Sequence, residues 1–302
     1  MKIPIKINSS IKDHLDKKDI VVLESAVLTH GLPYSQNEQT SLDLEEEVRS
    51  AGSTPATIGL IEGEIIIGLS KDEIHHLAQV KPVRKISQRD FGIALAQKLN
   101  GGTTVAGTII AAQHAGIQVF ATGGIGGVHR GSVFDVSADL QVLSQYPMIV
   151  VCAGAKSILD LPATLEKLET LGVPVLGYQT DDFPAFFSIT SGLGVDRRVD
   201  SPREIVEIAK AHWNMGLRSS ILVVVPPPAE HAIPFDEINE QIEKAVAEAE
   251  RKNIHGAKVT PFLLEKTAEL TKGSSMRVNL DLLRNNAYVA GLIAKELAKT
   301  NE

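Results

Sequence analysis

Cysteine is almost absent from this chain. Among the 302 residues the only cysteine is Cys152, which lies in an apolar run. One cysteine cannot form an intrachain disulfide or a cysteine-rich zinc site, so both kinds of framework are excluded. Cys152 is therefore expected to be a small residue of the core.

The chain also lacks an excess of basic residues and long apolar segments. Its formal net charge is −7, and no sustained basic cluster interrupts the sequence. Nucleic acid is therefore not expected as a partner, although a small phosphorylated ligand needs only one local positive pocket. No segment reaches the roughly 20 apolar residues that a membrane helix needs, and the N-terminus has no signal-type apolar core. These absences predict a cytoplasmic protein with no membrane partner.

The composition that is present, with 43% hydrophobic and 22% charged residues, is that of a globular protein. Strand and helix patterns alternate along the chain, which predicts a single α/β domain over residues 1–302. Its architecture is expected to be a three-layer α/β/α fold with a central, mainly parallel sheet. Two β-rich runs between Thr54 and Leu69 flank Glu62-Gly63, which predicts a small antiparallel hairpin annex. The acidic run Glu45–Glu47 is expected to be a solvated helix face.

A lone lysine follows the apolar run Ile149–Val151 and the small residues Ala153–Ala155. Apolar residues at helical spacing from Ile158 to Leu168 place Lys156 at the start of a predicted helix. In a parallel α/β sheet, that junction is where ligands bind. The helix dipole and partial burial would disfavour an ammonium there, which would make the amine a better nucleophile. The alternative is an ordinary solvated lysine in a loop.

Two other positions are candidates for chemistry or binding. Glu24 follows the strand pattern Asp19–Leu23, where a carboxylate is either reactive or simply solvated or capping. The turn Gly101–Thr104 precedes a helix of small residues, Val105–Ala115. Such a turn presents free backbone amides that suit an anion, although a tightly packed helix explains the small residues equally well.

Asp135 and Asp139 are four residues apart near the start of a predicted helix through Leu140 and Leu143. On a helix this spacing puts both carboxylates on one face, where they could hold a hard divalent cation. Capping of the helix is the alternative, because acidic residues are common in a first turn. The spacing leaves the two interpretations equal.

Two loops have unusual compositions. The stretch Thr122–Gly131 is rich in glycine, which predicts close backbone approach or unusual backbone angles. The stretch Phe183–Gly192 holds three of the eight phenylalanines, Phe183, Phe186 and Phe187. It is either part of the core or a lid.

A series of motifs, in order from about Val21 to Ala298, resembles the pseudouridine-5'-phosphate glycosidase family, also described as indigoidine-synthase-A-like. The match as a whole is specific in a way that no single motif is. The motifs are LESAVLTHGLPYSQN, TPATIGLIEGEIIIGL, VRKISQRD, GGTTVAGT, FATGGIGGVHRG, DVSADL, VCAGAKSILDLPATLEKLETLGVPVLGY, FPAFFSITSGL, KVTPFLLEKTAELTKG and VNLDLLRNNAYVAGLIA.

The resemblance implies reversible cleavage of the C–C bond between uracil C5 and ribose C1′ in pseudouridine 5′-phosphate, giving uracil and ribose 5-phosphate. Glycosidases with paired carboxylates protonate a leaving heteroatom, and a carbon leaving group offers none. An amine that opens the ribose and forms an imine at C1′ supplies an electron sink. A Schiff-base lysine therefore suits the reaction.

The resemblance also implies residue roles. Lys156 is the nucleophile and Glu24 the general acid, and the protein is a homotrimer that binds one Mn²⁺ per subunit through Asp135. The remaining implied positions contact the substrate or line its pocket: Lys85, Val105, His129, Ser137, Ala138, Asp139 and Asn279.

Two other functions remain open at this stage. A lysine-dependent lyase or aldolase acting on another sugar phosphate would keep Lys156 and the anion site but not uracil recognition. A non-catalytic sugar-phosphate binding protein, or an accessory protein of pigment synthesis, would need neither Glu24 nor Lys156. The sequence leaves open the direction in the cell, the bound metal, the phosphate-contacting residues and any partner kinase.

Overall fold

The computed structural model describes residues 3–31, 34–130, 135–254 and 259–300. Thirteen strands lie in these residues: β1 (Ile5–Ile7), β2 (Ile20–Leu23), β3 (Thr54–Ile61), β4 (Glu64–Ile67), β5 (Arg84–Ile86), β6 (Gly101–Thr103), β7 (Val119–Ala121), β8 (Val128–His129), β9 (Ile149–Cys152), β10 (Leu159–Asp160), β11 (Val175–Tyr178), β12 (Arg197–Val199) and β13 (Ile221–Val224).

The helices of the described residues are α1 (Ser9–Leu15), α2 (Gln36–Ser50), α3 (Lys71–Gln79), α4 (Phe91–Ala96), α5 (Val105–Gln113), α6 (Ala138–Leu143), α7 (Leu161–Thr170), α8 (Pro202–Asn214), α9 (Phe235–Arg251), α10 (Val259–Leu270) and α11 (Ser274–Lys299). A π-helical turn spans Val27–Gly31, and a 3₁₀ turn spans Gln88–Asp90. None of the described helices is both long and apolar enough to cross a membrane.

The main sheet has eleven strands, with the order β1-β4-β3-β2-β7-β9-β13-β11-β12 and with β6 and β5 branching from β3. From β3 to β12 every neighbouring pair on this path is parallel. Helices cover both sides of the sheet, and α11 packs against β2, β7 and β9. This confirms the predicted α/β fold with a mainly parallel sheet.

The central strands are buried along their whole length. The residues of β2, β9 and β13 are at most 2% exposed, as expected for parallel strands covered on both faces. Cys152, the last residue of β9, is fully buried, and burial raises the pKa of its thiol to about 12. The expectation that Cys152 is a core residue is confirmed.

The predicted hairpin is present, and it extends the main sheet. Strands β3 and β4 pair antiparallel, with Ile61 opposite Glu64. Glu62 and Gly63 both have positive φ, 50° and 75°, which is the geometry of a tight two-residue turn. Because β3 also pairs with β2, the hairpin is continuous with the parallel strands. Strand β3 also pairs antiparallel with β6, and a further antiparallel pair, β8 with β10, lies apart from the main sheet.

One surface prediction is wrong. Glu45, expected on a solvated helix face, is only 5% exposed. Its carboxylate accepts a hydrogen bond from Thr57 Oγ1 at 2.7 Å and pairs with Arg49 at 2.7 Å. The helix α2 turns this residue toward β3, so the acidic run is not one uniform face.

Candidate active site

The order of the strands brings two candidate residues to one edge of the sheet. Leu23 of β2 is paired with Ala121 of β7, and Ala121 is paired with Val151 of β9. Glu24 follows β2 directly, and Lys156 follows β9 by four residues. Because the three strands are parallel neighbours, both residues lie at their carboxyl ends, where α/β sheets bind ligands.

Glu24 is half-buried at this edge, and Thr122 Oγ1 donates a short hydrogen bond to its Oε1. Burial raises the pKa of Glu24, and the nearby Asp139 carboxylate also raises it. Lys156, the Thr122 hydrogen bond and Lys85 oppose this rise, but the pKa remains above its ordinary value. A raised pKa favours the protonated carboxyl group, and this suits Glu24 to general acid catalysis.

Lys85 belongs to the same electrostatic cluster. It lies half-buried in β5, which reaches the main sheet through β6 and β3. Burial lowers the pKa of Lys85, and the positive charge of Lys156 lowers it further, while Glu24 and Asp139 act in the opposite direction. The fold thus brings Glu24, Lys85 and Lys156 within electrostatic reach of one another although their positions span 132 residues of sequence.

Lys156 does not begin a helix, so that prediction is wrong. Helix α7 begins five residues later, at Leu161. Asp160 caps it by accepting a hydrogen bond from Ala163 N at 3.0 Å, and Pro162 lies in its first turn. The helix dipole therefore does not act on Lys156 as the sequence suggested.

The segment Ala153–Lys156 instead forms backbone hydrogen bonds with the glycine-rich loop. Ala153 N donates to Gly123 O at 2.9 Å, and Lys156 N donates to Ile125 O at 3.1 Å. In the other direction Ile125 N donates to Gly154 O at 3.1 Å. These backbone hydrogen bonds fix the path of the chain up to the lysine.

Close approach, expected of the glycine-rich stretch, occurs at Gly126, where a Cβ would lie 2.2 Å from Ser137 Oγ. The same holds outside that stretch at Gly154, which has φ of +85° and where a Cβ would lie 2.4 Å from Pro184 O. The phenylalanine loop packs against it, since Phe186 N donates to Ala153 O at 3.1 Å. Phe183, Phe186 and Phe187 are at most 3% exposed, so this loop is core and not a lid.

Asp139 connects two parts of the site. Its side chain is buried; Oδ1 accepts a hydrogen bond from Ala106 N at 3.0 Å, and Oδ2 accepts one from Gly126 N at 2.8 Å. The first amide belongs to α5 and the second to the glycine-rich loop. The Asp139 carboxylate therefore links the start of α5 to the glycine-rich loop, which is itself hydrogen-bonded to the Lys156 segment.

Asp135 and Asp139 do not share a helix face, so that prediction is wrong. Helix α6 begins at Ala138 with Ser137 as its N-cap, which leaves Asp135 outside it and exposed. No group of three His, Cys, Asp or Glu side chains suited to a metal ion exists among the described residues. Residues 131–134, directly before Asp135, lie outside the described part of the chain.

The other predicted binding residues surround these segments. Val105 is buried as the first residue of α5, and Ser137 is half-buried at the start of α6 with Ala138 exposed beside it. His129 is half-buried in β8, and its N donates to Asp135 O at 2.9 Å. Asn279 is half-buried in α11. Their contacts with substrate stay predictions.

The anion site predicted at the start of α5 has fewer available backbone amides than expected. Ala106 N is bonded to Asp139, and Gly107 N donates to Thr104 Oγ1 at 3.2 Å. The amide of Val105 is the remaining first-turn donor that a helix leaves without an intrahelical partner. The small residues of α5 are largely buried, which also agrees with the packing alternative.

Two residues of the site were missed by sequence reasoning. Thr122 follows β7 directly, so the rule that identified Glu24 after β2 would also have found it. Asn286 is fully buried in α11, and its Nδ2 donates to Thr122 O at 2.9 Å. A polar residue among the buried apolar residues of a helix, here Leu282 and Ala290, was the available signal.

Comparisons with known proteins show what this chain is similar to. The profile of the family described as indigoidine synthase A-like protein matches residues 10–296. A protein of Caldanaerobacter subterraneus subsp. tengcongensis named pseudouridine-5'-phosphate glycosidase is 49% identical, over 98% of this chain and 97% of that protein. A protein of the same name from Escherichia coli is 50% identical, over 97% of this chain and 95% of that protein.

Two solved structures share the fold. An indigoidine synthase A-like protein from Thermotoga maritima has a TM-score of 0.90 and 37% identity, over 98% of this chain and 97% of that one. The prealnumycin C-glycosynthase AlnA, solved in complex with ribulose 5-phosphate, has a TM-score of 0.91 and 37% identity, over 99% of both chains.

Proposed function

Because the chain belongs to the indigoidine synthase A-like family, we propose that it is an enzyme that reversibly cleaves the C–C glycosidic bond of pseudouridine 5′-phosphate. The products are uracil and ribose 5-phosphate. Relatives about half identical over nearly the whole chain carry the name of this activity. The observation in this chain that supports it most is the electrostatic cluster of Glu24 and Lys156 at the ends of neighbouring strands.

The chemistry follows from the leaving group. Uracil departs through carbon, so protonation of a leaving heteroatom cannot assist the cleavage. Another group must donate electrons to C1′ as the C1′–C5 bond breaks. In the proposed reaction, the amine of Lys156 bonds to C1′, and the ring oxygen leaves as a hydroxyl. The nitrogen lone pair then forms the imine as uracil departs and C5 takes up a proton. Water hydrolyses the imine, which releases ribose 5-phosphate and the free lysine.

Glu24 is the proton carrier in this proposal. Its raised pKa leaves a proton available for the opening ring oxygen, and Thr122 holds the carboxyl group in place. Lys85 lies in the same cluster and supplies positive charge for a phosphorylated substrate. A related protein solved with ribulose 5-phosphate supports a sugar phosphate as the ligand class.

We propose that the cation is Mn²⁺, one per subunit, with Asp135 as its protein ligand. A single exposed carboxylate fits a hard ion that keeps most of its water, and the described residues hold no group of three or more His, Cys, Asp or Glu side chains suited to a metal ion. Bound there, the ion would place positive charge beside a substrate oxygen. Asp135→Ala should weaken Mn²⁺ binding in a spin-resonance titration, and exhaustive chelation should abolish activity until Mn²⁺ returns. Undiminished Mn²⁺ binding by the variant would exclude this ligand.

The homotrimer and the cytoplasmic location remain predictions from the family resemblance and the composition. Light scattering coupled to size-exclusion chromatography measures the first directly. A mass of three times 32.5 kDa is expected. A monomer or dimer of full activity would show that trimer formation is not required.

The decisive experiment combines product analysis with trapping. The protein is incubated with pseudouridine 5′-phosphate and Mn²⁺, and uracil release is measured. In parallel, ribose 5-phosphate and borohydride are added, and the modified peptide is identified by mass spectrometry. Uracil release and a reduced adduct on Lys156 are both expected, and Lys156→Ala should lose both.

Substitution of Lys167 is the matched control, since this lysine lies in α7 on the same stretch of chain. Lys167→Ala should retain uracil release and the adduct. An adduct without uracil release would instead indicate a lysine-dependent lyase for another sugar phosphate. Active turnover with no adduct, or with an adduct on Lys85, would contradict the assignment of Lys156.

A further inference from the structure

Arg130 makes three hydrogen bonds, two of them to the segment after Lys156 and one to Asn239 of α9. Its Nε donates to Leu159 O at 3.2 Å, and its Nη2 donates to Ser157 O at 3.2 Å. The same Nη2 donates to the Asn239 side-chain oxygen at 3.0 Å. One half-buried guanidinium group thus binds two carbonyls that lie one and three residues beyond the lysine.

These two carbonyls belong to the turn that returns the chain from Lys156 to β10. Leu159 N donates to Lys156 O at 3.0 Å, and Leu159 is then paired with His129 of β8. Arg130 follows His129 directly, so it is placed beside the same pair of strands. The backbone bonds to the glycine-rich loop fix the chain before Lys156, and Arg130 fixes the chain after it.

Arginine is suited to this task in a way that lysine is not. The planar guanidinium presents several donors in a fixed geometry, so it can bind two carbonyls and an amide oxygen together. An ammonium group is a compact point charge without that fixed fork. A lysine at position 130 would therefore keep the charge while losing the simultaneous contacts.

We propose that Arg130 is a positioning residue, which holds the Ser157–Leu159 turn so that the Lys156 amine is correctly placed for attack on C1′. The inference rests on the proposed function of Lys156. Reacting groups must be held close to the attacking geometry, and a displacement of about 1 Å can cost a hundredfold in rate. Arg130 contacts the backbone of the turn and acts through it on the reaction.

The test measures formation of the imine separately from binding. Wild-type enzyme and Arg130→Lys are mixed with a range of ribose 5-phosphate concentrations, and borohydride trapping at Lys156 is followed in time. The variant should be slowed about tenfold or more at saturating sugar phosphate, with the half-saturating concentration changed less than about twofold. Thermal unfolding verifies that the variant is folded.

Two matched variants separate positioning from general stability. Arg284→Lys alters a guanidinium that ties α11 to Asp43 of α2, away from the Lys156 turn, and should trap at the wild-type rate. Asn239→Ala removes the third contact of Arg130, together with the exposed hydrogen bond from Asn239 Nδ2 to Glu243, and leaves both contacts with the turn. It should trap within about threefold of wild type.

The outcomes distinguish the two levels of the proposal. If wild-type enzyme forms no adduct on Lys156, the proposed function fails. If it does, a wild-type trapping rate in Arg130→Lys overturns the positioning role, as does a loss confined to the half-saturating concentration. If trapping in Arg284→Lys were slowed as much as in Arg130→Lys, the positioning role would also be overturned. The effect would then follow from replacing any arginine that joins two elements of the fold.

Discussion

Glu24 and Asp139 are two carboxylates at the same edge of the sheet, but their surroundings are opposite. Both oxygens of Asp139 accept hydrogen bonds from backbone amides, those of Ala106 and Gly126. Glu24 accepts a hydrogen bond from one hydroxyl, that of Thr122, and burial raises its pKa. The Asp139 carboxylate links two segments of the chain through its hydrogen bonds, whereas the Glu24 carboxyl group is suited to exchange a proton.

The difference has a physical cause. Backbone amides are fixed donors, so the amides of Ala106 and Gly126 hold both oxygens of the Asp139 carboxylate in place. Glu24 has one rotatable hydroxyl as its hydrogen-bond partner and little contact with water, so its charged form is less well stabilised. Asp139 even contributes to the raised pKa of Glu24 through like-charge repulsion. The structural carboxylate thus tunes the reactive one.

The largest effect is expected from Glu24→Gln. This change keeps the shape of the side chain and removes its titratable proton, so turnover of pseudouridine 5′-phosphate should fall about 100-fold or more while substrate binding survives. Steady-state kinetics and a binding titration measure the two quantities.

Glu45→Gln is the matched control. Glu45 is also buried and also accepts a hydrogen bond from a threonine hydroxyl, that of Thr57, but it lies in α2 away from Lys156. Its variant should turn over at the wild-type rate. Normal turnover in Glu24→Gln would make Glu24 a structural residue at a strand end.

Asp139→Asn should mainly reduce stability. Its amide nitrogen would face one of the two backbone N–H donors, so one charge-assisted hydrogen bond is lost and a donor is left unpaired. The loss in the free energy of unfolding is expected to be about 1.5–3 kcal/mol, measured by denaturant titration. Asp135→Asn, at the exposed position before α6, should change it by less than about 0.5 kcal/mol. Equal stabilities of the two variants would contradict the fastening role.

The sequence predicted what depends on local pattern. The buried strands β2 and β9 are runs of β-branched and other apolar residues, and such runs predict a parallel sheet and therefore the edge where Glu24 and Lys156 lie. The turn at Glu62-Gly63 was predictable for the same reason, because the residue types themselves favour the backbone angles.

What the sequence did not show depends on contacts between distant segments. The bonds of Asp139 reach residues 13 and 33 positions away, and no spacing rule reports them. The apolar spacing after Lys156 predicts one helix starting at the lysine, because spacing alone does not detect the Asp160 cap, after which α7 begins five residues beyond Lys156. Glu45 was placed on a solvated face for the same reason, since its partner Thr57 is contributed by another element.

Glu24 and Asp139 should also differ in the sign of their effect on stability. The pKa of Glu24 is raised on folding, so the folded state binds more protons than the unfolded state, and stability falls as pH rises through that interval. Glu24→Gln should therefore melt above wild type at alkaline pH. The gain should vanish well below pH 4.5, the ordinary pKa of this group, where both states of wild type are protonated. A lower melting temperature at alkaline pH would contradict the raised pKa of Glu24.

The smallest effect, and the most specific, is expected from Thr122→Val. The Thr122 hydroxyl lowers the pKa of Glu24, so its loss should raise that pKa further. The pH profile of turnover should have one limb that reports Glu24 and is therefore absent in Glu24→Gln. In Thr122→Val, this limb should move to higher pH. Thr108→Val makes the same change at a buried hydroxyl that donates to Thr103 at 2.9 Å, and should leave the limb in place. A shift to lower pH, or an equal shift in both variants, would show that Thr122 does not tune the proton carrier.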